Sequence, residues 1–350
     1  MSDSCRDCRT SARSVQDVGD HIDGGNWTMS ISTYAWHRAV AAASALGVFA
    51  ASAACSTQRD AFARASGDGT TKVATIIDFH GPESVKYDPE QDVYFISNMN
   101  GFGSVKDGNG YISRVRAARP SEIETFVTAG RAGVTLHAPK GMALHGDTLW
   151  VADIDALRGF DRHGGAPLAT IDFAPHGAVL LNDVAIGPDG SIRVTDSGIQ
   201  MTEKGIIFSG GDKLFVVGPN HSVSVAAAGP QLRKPNGITW DAKGRRWLYV
   251  SFDPLHSSLY ALREGDTTRA VLDSGHGRWD GVEALADGRI LYSSWTDSSV
   301  HLLDGTQDRQ LVRNVPNPAD IGVDTKRGLV LVPLVVLGRI EMWSIPPARP

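Results

Sequence analysis

The chain has 350 residues, a net charge of −5 and 21% charged side chains, a globular composition without the basic excess that would suit nucleic acid. Its three cysteines, Cys5, Cys8 and Cys55, all precede residue 56, so the body beyond them can hold neither an internal disulfide nor a cysteine metal site. Thirty-eight glycines and repeated Asp-Gly turns favour strands joined by tight turns over helices.

Residues 1–28 carry five aspartates and three arginines without apolar periodicity and read as a disordered extension ahead of a true start at Met29. Cys5 and Cys8 form a lone Cys-x-x-Cys pair with little beyond His21 to complete a zinc shell. Residues 29–55 read as a secretory signal. His37 and Arg38 lead into Ala39–Ala54, 16 residues without a charge and short of the roughly 20 that span a bilayer. Cleavage before Cys55 would resemble a bacterial lipoprotein signal, with membrane attachment through a lipidated Cys55. Ordinary cleavage nearby is the alternative, because Ser52 stands where that motif prefers leucine. Either way the expectation is export to the periplasm or the outer surface. Residues 56–71 follow as a polar tether.

From residue 72 to 346 one pattern repeats. Val73-Ala74-Thr75-Ile76-Ile77 is an isolated strand. Six copies of a strand–turn–strand sentence come after it, beginning at Pro82-Glu83, Pro139-Lys140, Leu181-Asn182, Pro235-Asn236, Trp279-Asp280 and Pro318-Ala319. The second residues of the copies, at 83, 140, 182, 236, 280 and 319, are separated by steps of 57, 42, 54, 44 and 39. Repeats of roughly 40–50 residues built from short strands indicate β-propeller blades. The expected fold is all-β, a six-bladed propeller of four-stranded blades. The last copy has only three strands, so the N-terminal strand is expected to complete it and close the ring, hiding sheet edges.

Equivalent positions at the start of each innermost strand meet around the central channel. Glu83, Lys140, Asn182, Asn236 and Asp280 therefore form a ring of polar side chains, and Ala319 leaves the sixth position small. Taken singly, Pro-Asn-Gly at 235–237 reads as a tight turn, since Asn and Gly both tolerate positive φ. What favours a site is that the polar residues share one blade position.

The series Pro82-Glu83, Leu181-Asn182-Asp183, Pro235-Asn236-Gly237 and Asp280-Gly281 resembles the senescence-marker-protein/gluconolactonase family of six-bladed propellers. It resembles less closely the paraoxonases and diisopropyl-fluorophosphatases. The resemblance covers roughly residues 72–345. It implies that Glu83, Asn182, Asn236 and Asp280 hold a calcium ion, and that the protein hydrolyses lactones or related esters with Asp280 as base or nucleophile. The donor chemistry agrees with the first implication. Oxygen donors alone select a hard cation, and two carboxylates balance a divalent charge. Calcium accepts a flexible shell of six to eight oxygens, whereas magnesium asks for a stricter octahedron and is the second choice.

Lys140 is assigned a catalytic role, its ammonium facing an anionic substrate group or a developing oxyanion. The alternative is a lysine pointing into a wide, wet funnel. His137 could line the same mouth, and Asp183, Asp320 and Glu283 stand beside the ring as candidate supports for the ligands. No Gly-x-Ser-x-Gly elbow, His-Glu-x-x-His pair or phosphate loop is present. The reading is thus an exported, monomeric, calcium-dependent lactonase or esterase acting on a small molecule. A non-catalytic binding scaffold with a structural calcium is the alternative.

Overall fold

In the computed structural model, residues 69–263 and 269–348 are described. The three cysteines, the export segment and most of the tether lie outside the described residues. The short apolar runs are rich in Val, Ile, Tyr, Phe and Trp and end in Asp, Asn or Gly, a composition that suits pleated strands. Among the described residues there are 26 strands and no α-helix. Twenty-four of the strands build six antiparallel four-stranded sheets, the six blades of a propeller, and two form a separate hairpin.

The innermost strands coincide with the six sequence repeats: Pro82–Asp88, Pro139–His145, Leu181–Ile186, Pro235–Asp241, Trp279–Ala284 and, shortest, Gly322–Asp324. Each blade then runs outward from the channel. The second strands are covered on both faces by neighbouring blades and so read as unbroken apolar runs. Val93–Asn98 and Leu329–Leu334 are buried throughout. Outer strands meet water; Ile123–Thr128 and Pro167–Asp172 are largely exposed. The core therefore lies between blades. Phe95 and Ile112 of blade one pack with Met142, Leu149 and Val151 of blade two, and Leu291 and Val300 of blade five pack with Val330 and Val332 of blade six.

The ring closes as expected. Lys72–Ile76 pairs antiparallel with Arg339–Ser344, with Ile76 opposite Ile340. Lys72 and Arg339 both reach Glu341 at 2.7 Å, and Lys72 lies over the Trp343 ring. Blade one meets blade six through a parallel bridge between Ser84 and Asp320.

Blade five holds a pH-dependent brace. Trp279, Tyr292 and His301 stack with centroid separations of 4.3 and 4.8 Å. Both His301 ring nitrogens face carboxylates, Nδ1 to Asp308 and Nε2 to Asp297, each at 2.8 Å. Burial opposes the charged ring, but the hydrogen bonds to Asp297 and Asp308 outweigh it and push its pKa up to about 9. A raised folded-state pKa gives stability that is complete below about 6.5 and lost as pH rises through 9. The contribution is about 2 kcal/mol, given that both aspartates are one-third exposed. The melting-temperature gap between wild type and His301→Gln should be widest near pH 6 and should narrow towards pH 10; a gap independent of pH would contradict the charged brace.

Candidate functional site

The ring residues are aimed by a backbone irregularity shared by five blades. In blade four, Pro235 pairs with Ser251 and Ile238 with Tyr249, so Asn236 and Gly237 together oppose Val250. The same two-for-one bulge places Lys140-Gly141, Asn182-Asp183 and Asp280-Gly281. Glu83 sits at a one-residue shift in blade one. A bulge bends the strand and re-aims the side chain it carries, here towards the channel axis.

This corrects the turn reading of Pro-Asn-Gly. Residues 235–241 are strand, and neither Asn236 nor Gly237 has a positive φ. Gly237 is glycine because blades approach closely: a Cβ there would lie 2.5 Å from the Asp280 carbonyl oxygen. A Cβ on Gly281 would lie 2.5 Å from the Ile321 nitrogen, and one on Gly141 would lie 2.1 Å from Asp183 Oδ1.

Glu83, Asn182, Asn236 and Asp280 come together at one cavity of about 20 Å³. That is room for a single water-sized body. All four side chains are at least 95% buried. Each holds one buried oxygen with no hydrogen-bond partner: Glu83 Oε2, Asn182 Oδ1, Asn236 Oδ1 and Asp280 Oδ1. A buried acceptor left without a partner costs about 1–3 kcal/mol, so four around one small space fit a cation that would satisfy them together. Among the described residues there is no metal-spaced cluster of three or more His, Cys, Asp or Glu side chains. The set thus relies on its two amides and fits a hard ion, as its chemistry requires.

The electrostatics agree. Burial, then the charges of Asp280 and Asp320, hold the Glu83 carboxyl well above the usual carboxylate range, with Lys140 pulling the other way. Burial and the Asp320 charge raise Asp280 likewise. The Trp295 indole N–H, aimed at Asp280 without closing a hydrogen bond of ordinary geometry, opposes that rise. Without a cation these groups favour their protonated forms; a divalent ion would draw them ionised.

Lys140 departs from both expectations. It is 1% exposed, does not line the cavity, and faces no wet funnel. Its Nζ donates to the carbonyls of Gly103 at 2.6 Å and Ala138 at 2.9 Å, pinning the 99–110 loop of blade one. Burial brings its pKa down to about 8, against the opposing attraction of Glu83 and Asp153. It does not line the four oxygens' cavity, and its hydrogen bonds position the loop and place positive charge near Glu83. His137 is engaged similarly, its Nδ1 accepting from the Gly108 N–H at 3.0 Å. The sixth position is not open space: Ala319 is fully buried, and blade six reaches the cavity through Val335.

Beneath the four oxygens lies a layer of supports. Asp183 accepts from the Ile238 N–H at 2.8 Å, two residues beyond Asn236. Asp320 accepts from the Ser84 hydroxyl at 2.5 Å, beside Glu83, and meets Lys86 at 3.3 Å. Glu283 pairs with Lys86 at 2.8 Å, further along the channel. The hydroxyls of the second strands were not expected. Thr195 Oγ1 accepts from the Asp183 N–H at 2.9 Å and donates to the Asn236 carbonyl at 2.6 Å, tying blade three to blade four. Ser293 Oγ does the same between the Gly281 N–H and the Ala319 carbonyl. Thr195→Val keeps the shape and removes both bonds, leaving buried groups unpaired. It should cost about 1–3 kcal/mol of stability and weaken cation binding, checked by denaturant unfolding and calcium titration. Unchanged values for both would remove Thr195 from the site.

The roof was also unforeseen. Met99, Ile199, Met201, Phe252, Trp295 and Val335 complete the lining and form one apolar cluster over the ring. Ile199 and Met201 belong to the separate hairpin Ile199–Thr202 and Gly205–Phe208, inserted between the second and third strands of blade three. Reciprocal bonds join it to the blade-one loop: the Met201 N–H to Ser104 Oγ at 2.7 Å and the Ser104 N–H to the Met201 carbonyl at 3.3 Å. The long repeat steps of 57 and 54 residues, against 39–44 elsewhere, were the sequence signal for these two insertions.

Comparisons with known proteins place this geometry. No curated protein matches the chain. Among solved structures, a gluconolactonase from Xanthomonas campestris is similar over 79% of this chain and 89% of its own, with 16% identity and a TM-score of 0.57. A luciferin-regenerating enzyme covers 79% and 95% with 12% identity and a TM-score of 0.59. A virginiamycin B lyase from Staphylococcus aureus covers 78% and 99% with 11% identity and a TM-score of 0.52. At such identities the likeness is one of fold. The model of the SMP-30/gluconolactonase/LRE-like region matches residues 77–323, most of the propeller and every proposed oxygen donor, and the chain belongs to that family.

Proposed function

We propose that the protein is a calcium-dependent hydrolase of lactones or related esters, with Glu83, Asn182, Asn236 and Asp280 holding the ion and Asp280 serving as base. The observation that carries this reading is the convergence of four unpaired buried oxygens on one ion-sized cavity. Membership of a family that includes gluconolactonases supports the reaction class. Bound calcium would polarise the ester carbonyl and set positive charge against the developing oxyanion. The chain's own part is proton transfer and exclusion of solvent. Asp280, a buried carboxylate that a divalent ion would hold ionised, takes a proton from water as the water oxygen bonds to the acyl carbon. The acyl C–O bond breaks, the leaving alkoxide takes up the proton that Asp280 accepted, and a lactone gives a hydroxy acid while an open ester gives acid and alcohol.

We also propose export through the 29–55 segment, where millimolar calcium suits a site of modest affinity. Mass spectrometry of cell-derived protein should find an N-terminus at or near Cys55. The second reading, a binding scaffold braced by calcium, is favoured by one observation, the roof that leaves only about 20 Å³ over the ring. Turnover of a lactone and ester panel, with calcium and with chelator, separates the two. Chelator-sensitive turnover supports the hydrolase; a protein that binds calcium and turns over nothing is the scaffold.

A further inference from the structure

The roof carries information about substrate that the ring does not. Six side chains cover the four oxygens, and all are apolar apart from the Trp295 N–H, which is directed at Asp280. Among the described residues, no hydroxyl, amide or charged side chain other than the ring residues lines the space. Lys140, the nearest cation in the ring, is turned away and bound to the Gly103 and Ala138 carbonyls. A sugar lactone entering here would bring several hydroxyls with no partner. Each one buried unpaired weakens the complex by about 5- to 100-fold.

Room for an apolar group can come from the roof itself. Met99 and Met201 are unbranched and adaptable, and their sulfurs close on one point, 3.2 and 3.0 Å from where a Cβ on Gly103 would lie. The hairpin that carries Met201 is a two-stranded sheet outside every blade, and such a hairpin is marginally stable alone. Two hydrogen bonds to Ser104, one through its hydroxyl and one through its N–H, tie it to the blade-one loop. Phe102 and Val105 of the blade-one loop and Ile207 and Phe208 of the hairpin are exposed apolar side chains on the two elements that carry Met99 and Met201.

We infer that the site takes compact apolar lactones or esters, such as alkyl-substituted lactones, and rejects polyhydroxylated sugar lactones, with Met201 and Trp295 as specificity-determining residues. The inference rests on the hydrolase reading given above. The step is the same hydrolysis: water adds its oxygen to the acyl carbon, the ring C–O bond breaks, and an alkyl-bearing hydroxy acid leaves.

The test compares an alkyl γ-lactone with glucono-δ-lactone on the full propeller with calcium present. A kcat/KM at least about 100-fold higher for the alkyl lactone supports the inference. Equal rates, or preference for the sugar lactone, overturn it and leave the hydrolase reading standing. Met201→Gln places an amide in the roof at a half-buried position; it should reduce that ratio about tenfold or more by lowering alkyl-lactone turnover. No change in the ratio would remove Met201 from specificity. If neither these two nor any member of the lactone and ester panel is turned over, the hydrolase reading fails, and calorimetry with unreactive lactams decides the present inference. Tighter binding of the alkyl lactam than of a polyhydroxylated lactam, relaxed by Met201→Gln, upholds an apolar site; no preference rejects it.

Discussion

Asp280→Asn should lower turnover of an accepted lactone by about 10²–10⁴-fold at saturating calcium while leaving the propeller folded. Asparagine keeps the shape and one oxygen at the bulge but loses both charge and basicity. The carboxyl it replaces is 4% exposed and raised by burial and by Asp320, so the metal-free protein should lose no stability and should gain some. That combination is diagnostic: a structural aspartate would reduce melting temperature along with activity. Calcium affinity will fall too, so turnover has to be read across a calcium titration up to saturation. Single-turnover hydrolysis in ¹⁸O-labelled water separates base from nucleophile. The label goes to product in the first case and to the Asp280 carboxyl in the second. Near-wild-type turnover by Asp280→Asn would end the mechanism even with fold and cation intact.

The architecture was legible because each blade must solve the same local problem. In five blades the innermost strand begins with Pro, Leu or Trp and bulges to present one side chain, and in three of them it meets a neighbour so closely that Gly141, Gly237 and Gly281 admit no Cβ. A packing demand repeated at that spacing survives in the sequence as Pro-Lys-Gly, Pro-Asn-Gly and Trp-Asp-Gly. The cause of the glycine did not survive, since a turn and an inter-blade contact select the same residue. Only the Asp280 carbonyl, 43 residues beyond Gly237, distinguishes them. Lys140 shows the same limit. Its position in the ring follows from phase, but its direction is fixed by the Gly103 carbonyl on a loop 37 residues earlier. Thr195 and Ser293 were hidden because a hydroxyl within an apolar strand has no periodic signature; their partners lie on the next blade.

Calcium should raise the melting temperature of the wild-type protein by about 5–10 °C at 100-fold over its dissociation constant, and chelator should remove the rise. Ligand bound only by the folded state adds RT ln(1 + [L]/Kd), about 2.7 kcal/mol at that ratio. For a domain of this size 1 kcal/mol is worth roughly 2–4 °C. Glu83→Gln removes one of the two carboxylates among the four donors. A tenfold loss of affinity would take about 1.4 kcal/mol, roughly half the shift, at the same calcium concentration. The metal-free variant should melt no lower than wild type, because Glu83 is held above the carboxylate range first by burial and then by Asp280 and Asp320. Protons also compete with the ion for Glu83 and Asp280. The calcium-induced shift should therefore fade on acidification while pH is still above the ordinary carboxylate range, with proton release on binding. Magnesium should give a smaller rise, since a stricter octahedron suits this mixed set of carboxylates and amides less well. A melting temperature indifferent to both calcium and chelator would remove the cation from the site, and with it the reason these four oxygens are buried without partners.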